Sequence, residues 1–89
     1  MAKTELTLVG KPGCHLCDDA REVIETVLAE LEGLEGAPAV SLSEVSILDD
    51  AALHEKYVEE IPVLLIDGKV HNYWRIDPTR LRRALLEKS

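Results

Sequence analysis

Apolar and polar positions recur with different periods along the chain, and each period predicts one type of element. Alternation over Glu5 to Val9 predicts a first strand. A turn-forming segment with two glycines and a proline follows it. The next pattern predicts a helix that begins at Cys14 or His15 and ends at Glu32, where glycines follow. Apolar side chains lie on one face of this helix: Leu16, Ala20, Val23, Ile24, Val27, Leu28 and Leu31.

The middle of the chain predicts a second strand and a short second helix. Val40 to Ile47 alternates in part, although the phase is imperfect near Glu44. Asp49 or Asp50 can cap a helix that runs to Tyr57, because an aspartate oxygen accepts hydrogen bonds from the free N–H groups of a first turn. Because of the imperfect phase near Glu44, the sequence does not define the ends of the second strand well.

The C-terminal third predicts a hairpin and a last helix. Val63 to Ile66 is an apolar strand, Asp67-Gly68 is a hairpin turn signal, and Val70 to Tyr73 is the returning strand. Asp77-Pro78 is typical of a helix start, with aspartate as the cap and proline at the first helical position. The buried stripe of this helix consists of Leu81, Ala84 and Leu85.

The predicted order of elements is β-α-β-α-β-β-α. A strand–helix–strand unit favours a parallel pair with a right-handed crossover, and the hairpin adds an antiparallel pair. The sequence therefore predicts an α/β fold with a mixed four-stranded sheet flanked by helices. With 89 residues, the chain is long enough for one domain, which we assign to residues 1–89.

Charge is distributed unevenly along the chain. Residues 1–67 carry 15 acidic and 4 basic side chains, whereas residues 68–89 carry 6 basic and 2 acidic ones. The acidic body argues against nucleic-acid binding, which depends on cations that neutralise phosphates. The basic residues near the C-terminus form either a docking patch or an ordinary solvated helix face: Arg75, Arg80, Arg82, Arg83 and Lys88.

Cysteine usage and hydropathy suggest a compartment. Two cysteines are too few for a disulfide-stapled secreted scaffold. The most apolar run, Ile61 to Ile66, is far shorter than a membrane-spanning helix, and Met1 to Glu5 lacks the apolar core of a signal peptide. We therefore expect a cytoplasmic monomer that does not bind membranes.

The two cysteines lie at the predicted junction of the first strand and the first helix. Cys14 lies at the mouth of the helix and Cys17 one turn in, a spacing that brings two Cβ atoms to about 5–6 Å and allows a disulfide. Free N–H groups at a helix start stabilise a thiolate, so Cys14 is the expected nucleophile. Cys17 falls on the apolar face beside Ala20 and is the expected resolving thiol. His15, if protonated, would stabilise the thiolate further, or it simply faces solvent.

Other interpretations of the cysteine pair remain open. Both cysteines could be small buried apolar residues. They could bind zinc together with His15, His54 or His71, or deliver Cu(I), which soft thiolates prefer. They could also form a redox-sensing disulfide that does not turn over.

Three segments of the chain resemble a glutaredoxin, and more narrowly the small bacterial glutaredoxin-like proteins. The first is Lys11-Pro12-Gly13-Cys14-His15-Leu16-Cys17, the second is Glu60-Ile61-Pro62-Val63, and the third is Asp67-Gly68. The resemblance covers nearly the whole chain. It implies the thioredoxin fold and a thiol–disulfide oxidoreductase whose catalytic residues are Cys14 and Cys17.

The resemblance also implies a binding site for glutathione or a similar thiol. In that family the proline matching Pro62 is cis and lies against the reactive cysteine, which leaves the backbone of Ile61 free to pair with an extended thiol peptide. A lysine at the position of Lys11 contacts a glutathione carboxylate. His15, in the same segment as Lys11, is also expected to belong to this binding site. Taken without the resemblance, Pro62 could be a trans proline that begins a strand, and Lys11 an ordinary loop lysine.

Two segments depart from the glutaredoxin pattern. His15 and Leu16 replace the usual proline and aromatic residue between the cysteines. Tyr73-Trp74-Arg75-Ile76-Asp77 replaces a glycine pair and an acidic residue that help to hold glutathione. Of these, only Asp77 matches, and its simplest role is that of a helix cap. We expect Tyr73 and Trp74 to be partly buried, either in a substrate groove or in the core.

The resemblance implies partners rather than a tightly bound cofactor. The substrate would be a disulfide-containing protein or a small disulfide, and the reductant would be glutathione, another thiol or a thioredoxin-type protein. The chain has no dinucleotide-binding glycine motif, so electrons from NADPH would arrive through another protein.

Overall fold

The computed structural model describes residues 4–36 and 39–87 and contains the predicted elements in the predicted order. None of its three helices is long and apolar enough to cross a membrane. The elements are β1 (Thr4–Gly10), α1 (His15–Glu32), β2 (Val40–Ser46), α2 (Ala51–Tyr57), β3 (Val63–Ile66), β4 (Lys69–Tyr73) and α3 (Pro78–Glu87).

The four strands form one mixed sheet in the order β2-β1-β3-β4. Strand β1 pairs in parallel with β2, from Thr4 opposite Val40 to Gly10 opposite Ser46. It pairs antiparallel with β3, and β3 pairs antiparallel with β4. Both edges of β1 are therefore occupied, and Gly10 ends the strand in the interior of the sheet. The predicted α/β fold is confirmed.

The sheet separates a larger core from a smaller one, because side chains of successive strand residues point to opposite faces. In β1, Leu6 and Leu8 belong to the larger cluster and Val9 to the smaller one. The larger cluster joins α1 and α3 to the sheet and includes Ile24, Val27, Leu64, Leu81 and Leu85. The smaller cluster contains Val9, Ile47, Tyr57 and Val63. Helix α2 thus covers the face opposite α1.

Strand β2 lies at the edge of the sheet, which explains its imperfect alternation. All its side chains are half-buried or exposed. Glu44 points to solvent on the side of α1, where its carboxylate accepts a hydrogen bond from Arg21 Nε at 2.6 Å. The predicted last residue, Ile47, lies just beyond the strand, and its N–H donates to the Gly10 carbonyl at 2.9 Å.

Side chains at the helix starts form the predicted caps. Asp50 caps α2, because its Oδ1 accepts from the N–H groups of Ala52 and Leu53 at 2.9 and 3.2 Å. Asp77 caps α3 in the same way. At the hairpin, Asp67 and Gly68 have φ values of 50° and 83°, the positive pair that a tight hairpin turn requires.

Part of the basic C-terminal segment joins two helices. Arg82 of α3 donates to both carboxylate oxygens of Glu30 in α1, at 2.9 and 3.1 Å. This bidentate pair links α3 to α1 at the surface, above the apolar core that the two helices share. Lys88 lies outside the described residues. Whether the other cations of this segment dock a partner stays a prediction.

Candidate active site

Cys14 caps the start of α1. Its backbone is extended, with φ −92° and ψ 116°, and its Sγ accepts a hydrogen bond from the Cys17 N–H at 3.2 Å. A sulfur therefore occupies the place that a serine or aspartate oxygen usually takes at a helix N-cap. Gly13 precedes it at φ 78° and turns the chain from β1 into the helix. The predicted position of Cys14, half-buried at the positive end of a helix, is present in the structure.

Cys17 lies one turn further on and is buried, with 3% of its surface exposed. Its side chain packs on Gly10, the last residue of β1. A Cβ atom at position 10 would lie 2.8 Å from Cys17 Sγ and 3.2 Å from Cys17 Cβ. The glycine is therefore required by this close approach, and it lets α1 dock its first turn directly on the end of the strand.

The environment of Cys17 keeps its sulfur protonated near neutral pH. Burial, and after it the hydrogen bond and charge of Cys14 and the charge of the nearby Asp18 carboxylate, raise the pKa of Cys17 to about 11. A hydrogen bond from the backbone N–H of Lys11 opposes these contributions. The two sulfurs thus differ in access, because Cys14 is half-buried and Cys17 is buried.

Pro62 lies at the same end of the sheet as the cysteine segment. Val63 pairs with Val9, so the register continued by one residue places Pro62 opposite Gly10. The Ile61–Pro62 peptide bond is cis, and the Pro62 carbonyl accepts from the Trp74 N–H at 2.7 Å.

The expectation that the backbone of Ile61 is free to pair with a thiol peptide is corrected. The Ile61 N–H donates to the Tyr57 carbonyl at 3.1 Å, so it is not free to pair with a peptide in this structure. The C-terminal turn of α2 occupies it, because α2 ends four residues before Ile61. A peptide that used this donor would have to displace that bond.

Lys11 and His15 are both exposed beside the cysteines. Lys11 lies in the loop after β1, and His15 is the first residue of α1. Lys11 and Cys17 line a cleft of about 400 Å³ between the start of α1 and β2, and the cleft is bounded by the ion pair of Arg21 with Glu44. The structure thus brings Lys11, His15, both cysteines and Pro62 to one end of the sheet.

Trp74 is the site residue whose conformation the sequence did not predict. It has φ 57°, its N–H donates to the Pro62 carbonyl, and its Nε1 donates to the Glu59 carbonyl at 3.3 Å. With 54% of its surface exposed, it is more accessible than the expected partial burial, and Tyr73 is exposed as well. The sequence did hold a signal for this conformation: Trp74 lies in the segment that replaces the glycine pair of glutaredoxins, and glycine is the residue that usually adopts a positive φ.

Metal ligands do not converge in the part of the chain that the structure describes. No group of three or more histidine, cysteine, aspartate or glutamate side chains is placed to hold one ion there. His54 belongs to α2 and His71 to β4, and neither forms a group of three ligands with the two cysteines in the described residues. A metal site here would rest on the two thiolates, whereas structural zinc usually takes four ligands.

The family model for the glutaredoxin-like domain (DUF836) matches residues 5–86. The chain belongs to this glutaredoxin-like family. The uncharacterized protein Rv0508 of Mycobacterium tuberculosis is 27% identical over 82 residues, which are 92% of this chain and 82% of that protein. The X-ray structure of protein XcR50 from X. campestris is 36% identical, with a TM-score of 0.65, and the match covers 94% of this chain and 97% of that one.

A solved structure of lower sequence identity has the same thioredoxin fold as this glutaredoxin-like chain. Oxidized mitochondrial thioredoxin 3 of Saccharomyces cerevisiae has a TM-score of 0.64, and the match covers 98% of this chain and 80% of that one. At 12% identity this likeness concerns the fold alone. The predicted glutaredoxin resemblance and the predicted fold are therefore confirmed.

The Gly10→Ala substitution tests the close contact under the resolving cysteine. The new methyl group would overlap Cys17 Sγ, so we expect a loss of about 1–3 kcal/mol in the free energy of unfolding, as in other overpacked cores. For a domain of this size each kcal/mol lowers the Tm by roughly 4–8 °C. Gly33→Ala is the matched control, because a Cβ there lies 3.6 Å from its nearest neighbour. Equal Tm values for the two variants would contradict the packing described here.

Alkylation at different pH values tests the difference between the two thiols. With a pKa of about 11, only about one Cys17 in ten thousand carries a thiolate at pH 7. We expect iodoacetamide to modify Cys14 first and Cys17 only as the pH rises towards 11, measured by mass spectrometry of digested native protein. The Cys14→Ser variant, which keeps a good helix cap, isolates the reaction of Cys17. Faster modification of Cys17 than of Cys14 at pH 7 would contradict the assignment.

Proposed function

We propose that this protein is a glutaredoxin-type thiol–disulfide oxidoreductase in which Cys14 attacks and Cys17 resolves. The observation that carries the proposal is the Cys14 sulfur at the N-cap of α1, where it accepts the Cys17 N–H at 3.2 Å. This hydrogen bond and the positive end of the helix both favour a negatively charged sulfur. The thiolate is the species that attacks a disulfide.

The first step exchanges one disulfide for another. The Cys14 thiolate attacks one sulfur of the substrate disulfide, the substrate S–S bond breaks, and a mixed disulfide forms with Cys14. The other half of the substrate leaves as a thiolate. The N–H of Cys17 is then released from a charged sulfur and faces a neutral one.

The second step uses Cys17, and the first step prepares it. Two contributions that raise the pKa of Cys17, a hydrogen bond and a negative charge, come from Cys14. Both are lost once the Cys14 sulfur is bonded to the substrate, so the pKa of Cys17 falls when this thiol must lose its proton. The Cys17 sulfur attacks Cys14, the mixed disulfide breaks, and the second substrate thiolate leaves with the proton. Two electrons have passed to the substrate, and Cys14 and Cys17 are joined.

A second thiol–disulfide exchange must restore the reduced protein: two thiol groups of the reductant reduce the Cys14–Cys17 disulfide and leave as a disulfide. We assign this role to glutathione, another small thiol or a thioredoxin-type protein in the cytoplasm, with no tightly bound cofactor. Lys11 and His15 are exposed beside Cys14, where they can meet the charged groups of such a thiol. The backbone of Pro62 and the carbonyl group of Ile61 lie nearby and can pair with the backbone of such a thiol. The substrates would be protein disulfides or small disulfides.

Trapping of the mixed disulfide tests this mechanism. In Cys17→Ser the second step is blocked, so we expect a stable adduct on Cys14 after incubation with hydroxyethyl disulfide, visible by intact-mass spectrometry. Wild-type protein should turn over in the presence of excess dithiol, and the variant should lose most of that rate. Cys14→Ser is the control, because it retains the cap and should form no adduct.

Two results would contradict the proposed function. One is an adduct on Cys17 in the Cys14→Ser control together with no adduct on Cys14 in Cys17→Ser. The other is a wild-type rate no higher than that of the free dithiol alone.

A further inference from the structure

A small pocket lies beside the first turn of α1, on the side away from β2. It has a volume of about 210 Å³. Asp19 and Arg75 supply its charged lining. The apolar lining comes from α1 and from the segment after β4: Leu16, Ala20, Val23, Trp74 and Ile76. We call it the Leu16–Trp74 pocket. Leu16 follows Cys14 by two residues, so their Cα atoms lie within about 7.6 Å, and the Leu16 wall of the pocket lies near the start of α1 that carries Cys14.

The Trp74 wall of this pocket is held in an unusual conformation. A non-glycine residue with φ 57° is uncommon, and such residues cluster at ligand-binding sites. Hydrogen bonds to the carbonyls of Pro62 and Glu59 hold its backbone and its ring. An exposed indole that is fixed in this way presents a preformed apolar surface and loses little freedom when a ligand binds.

The size of the pocket limits what can enter it. Sites for small organic ligands usually measure about 300–1,000 Å³. A volume of about 210 Å³ is smaller and suits a single amino-acid side chain. Since the walls are mainly apolar, this side chain would be apolar too.

Charge limits the kind of molecule that carries this side chain. The lining of the pocket contains one acidic and one basic residue, Asp19 and Arg75, whereas the protein as a whole has a net charge of −7. The backbone carbonyl of Glu59 accepts the hydrogen bond from Trp74 Nε1, which places this acidic residue beside the indole. An acidic surface slows the approach of anions such as glutathione disulfide and favours neutral or basic partners.

We propose that the Leu16–Trp74 pocket receives an apolar side chain next to the reacting cysteine of a neutral or basic polypeptide disulfide. Such a side chain lies one or two residues from its cysteine and can span the distance from Cys14 to the pocket. Trp74 and Leu16 thereby select polypeptide disulfides over glutathione disulfide as substrates. This inference rests on the proposed oxidoreductase function and names its substrate class.

Paired peptide disulfides test this selection. Two short peptides of net charge +1 differ only in leucine or alanine beside their single cysteine, and each is supplied as its disulfide dimer. We expect reduced wild-type protein to reduce the leucine peptide about tenfold faster than the alanine peptide, a typical discrimination for an apolar pocket. Glutathione disulfide should react more slowly than the leucine peptide. Hydroxyethyl disulfide, which is small and neutral, reports the intrinsic reactivity of the cysteines.

Variants assign the preference to the two walls. Trp74→Gly removes the indole but suits the positive φ, and Leu16→Ala removes the opposite wall. Each should bring the ratio of the leucine-peptide rate to the alanine-peptide rate close to one, whatever its rate with hydroxyethyl disulfide. Leu34→Ala is the control, because Leu34 is an exposed leucine beyond the other end of α1. It should keep the full preference.

Fluorescence provides a second readout that does not depend on turnover. Trp74 is the only tryptophan of the chain. In the Cys14 mixed disulfide of Cys17→Ser, the leucine peptide should shift the tryptophan emission to the blue relative to the alanine peptide, because the indole becomes covered.

The outcomes separate this inference from the proposed function. Equal wild-type rates for the two peptides, or an equal loss on all disulfides in Trp74→Gly and Leu16→Ala, would overturn the substrate assignment alone. If wild-type protein fails to reduce hydroxyethyl disulfide as well, the oxidoreductase function and the substrate assignment both fail.

Discussion

The contact of Cys17 with Gly10 is the constraint on which the rest of the site depends. Strand β1 is paired on both sides, so its end is fixed within the sheet. Only a residue without a Cβ lets the Cys17 sulfur lie against that end. The contact docks the first turn of α1 on the end of β1, and Cys14, the N-cap of that turn, is held at the same end of the sheet. Both sulfurs are thus placed by rigid elements, which keep their geometry more accurately than a loop would.

The same contact creates the chemical difference between the two thiols. Burial against the sheet raises the pKa of Cys17, while Cys14 stays half-buried at the cap. Since Cys14 itself contributes to the high pKa of Cys17, bonding of Cys14 to a substrate changes the proton affinity of its partner. In the mechanism that we propose, the order of the two steps follows from this packing.

Features that depend on neighbouring residues could be predicted from the sequence, whereas features that depend on distant contacts could not. Asp77 was predicted as a cap and Cys14 as the residue at the start of α1, because both depend on the adjacent turn. The close approach at Gly10 and the positive φ of Trp74 arise where separate elements meet. The tryptophan in particular is held by bonds to the segment before β3, which sequence patterns do not report.

The redox equilibrium of the cysteine pair tests the central claim most directly. Metal-free protein would be equilibrated in glutathione buffers, quenched by alkylation and analysed by mass spectrometry. The account predicts an internal disulfide between Cys14 and Cys17 with a potential in the range of known dithiol oxidoreductases, about −270 to −120 mV. The absence of an internal disulfide, or a potential far more reducing than this range, would contradict the account.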